Sequence, residues 1–253
     1  MSAPSADFAF EINELKKLIH ISKRIVFFTG AGISTESGIS DYRSQGGAYE
    51  RYRPVTIQEF LASEESRKEF WRRKKEFYNQ LGKAQPNEGH LAIAQLEERG
   101  KVTGVVTQNI DGLHQSAGSK KIFEIHGTNL EIICLSCEKI TPYKNTLNRL
   151  NRGEEVPTCE DCGGWLKTNT ISFGQELNPD ILQRSFALAR NCDLMVAVGS
   201  TLVVEPAASI PRRAKEFDAK LVIINREATP LYTVADLNIS AAAGFILKQA
   251  LPD

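Results

Sequence analysis

Arg24-Ile25-Val26-Phe27-Phe28-Thr29-Gly30-Ala31-Gly32 is a short apolar run that ends in a glycine-rich turn. It reads as a buried strand feeding a tight loop. The same pattern recurs outward from it. Residues 102–107, 121–125, 194–198 and 221–224 are further short apolar runs, each predicted as a buried strand. Between them lie segments of helical spacing. Ile12, Leu15, Leu18 and Ile19 mark a helix over 11–21, residues 88–100 a second closed by Gly100, and two more fall near 178–190 and 206–216. Strands alternating with helices predict an α/β fold, a Rossmann-like parallel sheet with helices on both faces.

Two segments interrupt the alternation. Residues 46–87 are charged and aromatic, with Phe60, Phe70, Trp71, Phe77 and Tyr78, and read as a loop plus a helical insert. Residues 130–168 carry Cys134-x2-Cys137 and Cys159-x2-Cys162, two pairs separated by 21 residues that hold four of the chain's five cysteines. Two tight CxxC turns can complete a tetrahedral S4 shell, which suits Zn2+ and leaves no open position for catalysis. Two disulfides or a redox CxxC pair are the alternatives, and the ribbon-like spacing favours one structural zinc per chain. Residues 1–45, 88–129 and 169–253 are then expected to form a nucleotide-binding domain. Residues 46–87 would supply the cofactor loop and helical insert, and 130–168 a small zinc-ribbon module.

Composition excludes several classes. The 253 residues balance 31 Lys+Arg against 31 Asp+Glu, so no global field draws in nucleic acid or an anionic membrane surface. The run Arg72-Arg73-Lys74-Lys75 lies among acidic residues and reads as a solvated helix face. No stretch approaches the roughly 20 apolar residues of a membrane span, and residues 1–10 lack a signal or transit pattern. Thiolates kept for a metal imply a reducing compartment, most simply the cytoplasm. Cys192, beside an apolar strand, is expected to be a buried inert thiol.

In an open parallel sheet, ligands bind outside the carboxyl ends of the strands. The unusual polar residues fall there: Gly30-Ala31-Gly32 after the first strand, Gln108-Asn109-Ile110-Asp111 after the second, and His126-Gly127 after the third. Gly199-Ser200-Thr201 and Asn225-Arg226-Glu227 follow the last two. Each motif alone is weak, since a lone Gly-x-Gly is usually a turn and a lone histidine is usually structural. Their shared placement points to one nucleotide site. The glycine turn would let backbone N–H groups approach a pyrophosphate at the positive end of a helix. It is not the usual dehydrogenase fingerprint: Thr35 stands at the third glycine, and no strand-terminal acid follows about 20 residues on. Hydride transfer is therefore disfavoured.

Gly30-Ala31-Gly32-Ile33-Ser34, continuing to Ser37-Gly38-Ile39-Ser40-Asp41-Tyr42-Arg43, resembles the signature of the sirtuins. So do 107–114 (Thr-Gln-Asn-Ile-Asp-Gly-Leu-His), His126-Gly127 and the paired CxxC. The resemblance runs in order over nearly the whole chain. It implies NAD-dependent removal of acyl groups from the lysines of proteins or peptides, with NAD as co-substrate. In that chemistry the acyl oxygen attacks C1′ of the nicotinamide ribose and nicotinamide leaves. An alkylimidate forms, and lysine and O-acyl-ADP-ribose are released. His126 would be the general base for a ribose hydroxyl, a task suited to a histidine's pKa. Asn109 would hold the ribose or an ordered water, Gln108 and Ile110 would lie beside the ribose, and Asp111 would bind the nicotinamide carboxamide. Gly30, Ala31, Gly32, Asp41, Tyr42 and Arg43 would line the pyrophosphate and nicotinamide side. Gly199, Ser200, Thr201, Asn225, Arg226, Glu227 and Ala243 would meet the adenosine half. Ile171, Ser172, Phe173, Gly174 and Val203 would contact the peptide.

The departures from the family pattern are specific. Tyr42 replaces a usual phenylalanine, Ser40 a common proline, and Gln175 an acid at the end of the peptide strand. Members that remove acidic acyl groups carry Tyr-x-x-Arg on the helical insert. Trp71 and Lys74 stand there, so acetyl or longer neutral acyl groups are expected to outrank succinyl. A tryptophan at that point resembles the class II-like bacterial and mitochondrial branch. Two rival readings are a mono-ADP-ribosyltransferase using the same site and a zinc-ribbon module for nucleic acid or protein. His126 argues against the first as the main activity. Mixed charge in the zinc segment, Lys139, Lys144, Arg149 and Arg152 among Glu131, Glu138, Glu154, Glu155, Glu160 and Asp161, argues against the second.

Overall fold

The computed structural model describes residues 8–42 and 47–251. In chain order the α-helices and strands are α1 (Ala9–Ile21), β1 (Ile25–Thr29), α2 (Ala48–Arg51), α3 (Ile57–Ala62), α4 (Glu64–Leu81), α5 (Glu88–Glu98) and β2 (Val102–Thr107). Then come α6 (Leu113–Ser116), β3 (Ile122–Glu124), β4 (Gly127–Cys134), β5 (Ile140–Pro142), α7 (Tyr143–Asn151) and β6 (Leu166–Thr170). The chain closes with α8 (Pro179–Asn191), β7 (Leu194–Val198), α9 (Ser209–Glu216), β8 (Lys220–Ile224), β9 (Leu237–Ile239) and α10 (Ala243–Ala250). A 3-10 helix, Ala31–Ser37, follows β1.

Six strands form one parallel sheet in the order β3-β2-β1-β7-β8-β9. The chain first builds outward from β1 to β3, then returns to β7 beside β1 and builds the other way. That reversal opens a crevice at the carboxyl ends of β1 and β7. Burial on both faces explains why these strands read as continuous apolar runs. Ile25 and Phe27 of β1 face one core, which Leu15 and Ile19 of α1, Ile93 of α5 and Ile246 of α10 complete. Val26 and Phe28 face the other, against Ala189 of α8 and Ile210 of α9. Side chains alternate between faces with the strand period of two.

Helix ends are set by local chemistry. Thr56 and Glu59 form a reciprocal capping box at α3. Asn178 caps α8, with Pro179 in its first turn. Gly100, at φ +75°, ends the turn after α5 as its sequence position predicts.

The two interrupting segments pack together. Strands β5-β4-β6 make a separate antiparallel sheet. Phe60, Phe70 and Trp71 of the helical insert share one core with Ile132, Tyr143, Leu150 and Leu166 of the cysteine segment. Strand β4 begins at Gly127, directly after His126.

Candidate functional site

The carboxyl ends of β1, β2, β3, β7 and β8 surround a cavity of about 840 Å3. Its lining brings together most of the site residues named from sequence. Gly30, Ala31, Gly32, Asp41 and Tyr42 come from the β1 side; Gln108, Asn109 and Ile110 follow β2; His126 follows β3. Gly199, Ser200 and Thr201 follow β7, Asn225, Arg226 and Glu227 follow β8, and Ala243 opens α10. Ile171, Ser172, Phe173 and Gly174 close the other wall. Arg43 lies outside the described residues.

Two residues stand elsewhere. Asp111 is buried and absent from the lining; its carboxylate accepts from Ser34 Oγ at 2.7 Å and from the Leu113 N–H at 3.0 Å. Burial raises its pKa, and these hydrogen bonds oppose the rise. Val203 is 54% exposed outside the lining, and its neighbour Val204 lines the cavity instead.

The glycine turn is shaped by backbone contact. Gly32 N–H donates to Gly199 O at 2.8 Å. A Cβ on Gly32 would lie 2.7 Å from the Gly199 Cα, and one on Gly30 2.8 Å from the Gly199 oxygen. Gly199 itself sits at φ +60°, a left-handed conformation that favours glycine. The loops after β1 and β7 therefore touch main chain to main chain across the switch point. The turn leads into a seven-residue helix of the 3-10 type.

The polar side chains form connected bonds. Gln108 Nε2 donates to Ser200 Oγ at 2.8 Å. Asn109, 6% exposed, donates from Nδ2 to Gly30 O and to Ser34 Oγ, each at 3.1 Å. His126 Nδ1 lies 3.1 Å from Gln108 O. A carbonyl only accepts, so Nδ1 carries the proton and Nε2 is the basic nitrogen of the neutral ring. The His126 carbonyl accepts from the Ile171 N–H at 2.8 Å, which ties the histidine to the wall at 171–174.

The sequence placed Trp71 and Lys74 of α4 at the acyl-reading position but not Phe70 and Phe77, which join Lys74 in a wall of the cavity. Phe70, Lys74 and Phe77 line the cavity, and their i, i+4, i+7 spacing places them on one helix face. Lys74 is thus no member of a solvated face. It donates to Asn129 Oδ1 at 2.7 Å, and burial followed by the nearby Lys167 lowers its pKa to about 7. Arg72 pairs with Glu69 near solvent, whereas Arg73, 18% exposed, pairs with Glu69 and also lines the cavity. Trp71 is 1% exposed and packs edge-on against Phe70 in the insert's core, outside the cavity lining.

Away from the cavity, the Sγ atoms of Cys134, Cys137, Cys159 and Cys162 all lie within 4.8 Å of one another without a disulfide. Four thiols on two tight turns fit one tetrahedral metal ion, and Zn2+ suits an all-sulfur shell. None of the four lines the cavity, so the metal would be structural. Cys192 is buried, and burial pushes its thiol up to about 12, as befits an inert side chain.

Comparison with known proteins agrees with this architecture. The Sir2 family model matches residues 30–206. An NAD-dependent protein deacetylase of Thermodesulfovibrio yellowstonii is 44% identical over 241 residues, covering 95% of this chain and 94% of the relative. The NAD-dependent protein deacylase 2 of Archaeoglobus fulgidus is 37% identical and covers 96% of each. A solved Sir2–p53 peptide–NAD+ structure superposes with a TM-score of 0.87 at 37% identity, over 94% of this chain and 96% of that one.

Proposed function

The chain belongs to the Sir2 family, and from that premise we propose that it is an NAD-dependent protein-lysine deacylase acting at the cavity on the strand ends. Nicotinamide would be released and the acyl group transferred to ADP-ribose. The observation that carries this reading is the convergence of five strand ends on one cavity, with His126 tethered through Nδ1 to Gln108 O. The relatives named for NAD-dependent deacetylation support the same reading.

NAD, when bound, supplies a ribose carbon from which nicotinamide departs. Gly30, Ala31, Gly32, Asp41 and Tyr42 would hold the pyrophosphate and nicotinamide side, with Arg43 completing it. Ser200, Thr201, Asn225, Arg226, Glu227 and Ala243 would hold the adenosine half. Asn109 is fixed at both its amide and its side chain, which suits a group that positions the ribose. His126 would take a proton from a ribose hydroxyl at Nε2, because Gln108 O holds the other nitrogen as a donor. The acyl-lysine peptide would lie along Ile171, Ser172, Phe173 and Gly174. Asp111 acts behind the cavity, bracing Ser34 and, through it, Asn109.

The zinc held by the four cysteines would keep the second core folded and supply no catalytic position. Thiols maintained for a metal suit a reducing compartment, and we place the protein in the cytoplasm. Among the described residues, no helix is long and apolar enough to cross a membrane. Incubation with NAD and a panel of acyl-lysine peptides, read by mass, tests the reading. Loss of the acyl group that depends on NAD is expected. Transfer of ADP-ribose onto protein with the acyl group retained would refute it.

A further inference from the structure

Two histidines outside the cavity are buried behind its floor, and the reaction as derived does not use them. His90 of α5 is 0% exposed and His114 of α6 is 1% exposed. Neither lines the cavity. Their rings meet edge to face, 4.9 Å between centroids. Burial lowers the pKa of both, to about 4 for His90 and about 3 for His114, so both are neutral rings.

Their bonds lead to Asn109. Thr29 and Thr107 end β1 and β2 in register, and both are buried. Thr29 Oγ1 donates to Thr107 Oγ1 at 2.8 Å. Thr107 Oγ1 also accepts the Asn109 N–H at 3.0 Å. The other partner of the Thr29 hydroxyl is His114 Nε2, at 2.9 Å. Since the Thr29 proton goes to Thr107, His114 must donate from Nε2. Its Nδ1 is then a bare lone pair, and it has no partner. His90 Nδ1 accepts the Asn87 N–H at 3.4 Å, so its Nε2 carries a proton, also without a partner.

The path returns to Asn109 by a second route. His114 follows Leu113, whose N–H donates to Asp111 Oδ1. Asp111 Oδ2 accepts from Ser34 Oγ, which in turn accepts from Asn109 Nδ2. Asn109 is thus held through its main chain by Thr107–Thr29–His114 and through its side chain by Ser34–Asp111.

We infer that His114, backed by His90, is a positioning residue for Asn109, acting through the Thr29–Thr107 hydroxyl pair. The inference rests on the deacylase reading for its effect on rate, and on geometry alone for its effect on Asn109.

His114→Phe removes the donor and keeps a ring; Thr29→Val removes the hydroxyl and keeps the shape; His114→Gln restores an N–H donor. Misplacement of a reacting group by about 1 Å costs roughly 10²-fold. We expect His114→Phe and Thr29→Val each to lower kcat by about 10- to 100-fold, with KM for NAD changed by less than about threefold. His114→Gln should recover most of the loss. The double variant Thr29→Val/His114→Phe should be no slower than the slower single one, because both break the same path. Hydrogen exchange at the Asn109 amide supplies a readout that needs no turnover. It should quicken by about tenfold or more in His114→Phe and Thr29→Val, and stay near wild type in His114→Gln.

A kcat near wild type in Thr29→Val, losses that multiply in the double variant, or unchanged exchange at Asn109 would overturn the inference. If His114→Phe does not fold, Thr29→Val and His114→Gln carry the same measurements. A wild type that turns over no acyl peptide sinks the deacylase reading, and the exchange data still judge the positioning path.

Discussion

His126 shows how much one residue's surroundings decide. A lone histidine in a sequence is usually structural, and only its place after a strand end marks this one. The structure adds the bond from Nδ1 to Gln108 O that assigns the basic nitrogen. His126→Ala should therefore lower kcat by about 10²–10⁴, the usual worth of a general base, while NAD binding changes little. Steady-state rates and NAD titration check this, and a near-normal kcat would contradict the assigned role. Lys74 was legible both as a charge in a basic run and, with Trp71, at the place of the family's Tyr-x-x-Arg pair, but a linear match cannot tell which of the two faces the cavity. The helix turns Trp71 into the core and Lys74 onto the cavity wall. With a pKa of about 7, Lys74 is mostly neutral at pH 8 and gains its charge as pH falls. Acetyl-lysine should then outrank succinyl-lysine in kcat/KM at pH 8, and the succinyl-to-acetyl ratio should rise as pH drops below about 7. Taking the ratio removes whatever pH dependence the two substrates share. Lys74→Met should flatten the ratio against pH, and an unchanged slope would remove Lys74 from acyl selection.

At the scale of elements, the strands of the large sheet were readable because burial on both faces leaves unbroken apolar runs. Phe27 and Phe28 point to opposite cores, and both are fully buried. The short edge strand β9 was not readable, since three residues centred on Asn238 carry no such signal. Helix α10, beginning at Ala243, also escaped, although Ala243 itself was placed at the site. The joint core of the insert and the cysteine segment was invisible in the sequence. Phe60, Phe70 and Trp71 meet Ile132, Tyr143 and Leu166 only after a long excursion of the chain. This core makes a prediction for the metal. Cys134 and Cys159 belong to it, so loss of the ion should loosen α4 along with the cysteine turns. Cys137→Ala, at an exposed ligand position, should release zinc and destabilise the protein by several kcal/mol, given apparent structural-zinc free energies of about 10–16 kcal/mol in zinc-finger peptides. Metal content and thermal midpoint should fall together, with activity lost in proportion. A folded, zinc-loaded but inactive variant would contradict a structural role.

Across the whole molecule, one topological fact organises the site: the strand order reverses between β1 and β7, and most of the site residues named from sequence line the cavity there, while the four cysteines lie apart from it. The same arrangement buries His90 and His114, and this has a consequence for global stability. Their folded pKa values, about 4 and about 3, lie below the ordinary histidine value of 6.5. Between pH 6.5 and 4 the unfolded chain binds protons that the folded one does not, so stability is full above pH 6.5 and is lost as pH falls. Each histidine contributes a slope of up to about 1.4 kcal/mol per pH unit. Denaturant unfolding of His114→Phe should show a shallower slope in that window than wild type, and equal slopes would mean that His114 titrates normally. The central claim, that this cavity transfers an acyl group from lysine to ADP-ribose, is tested most directly by stoichiometry. Nicotinamide, deacylated peptide and O-acetyl-ADP-ribose should be counted in one sample of protein, NAD and acetyl-lysine peptide. Equal amounts of all three, with none formed without NAD, are the predicted result. Nicotinamide release without peptide deacetylation, or deacetylation without NAD, would contradict it.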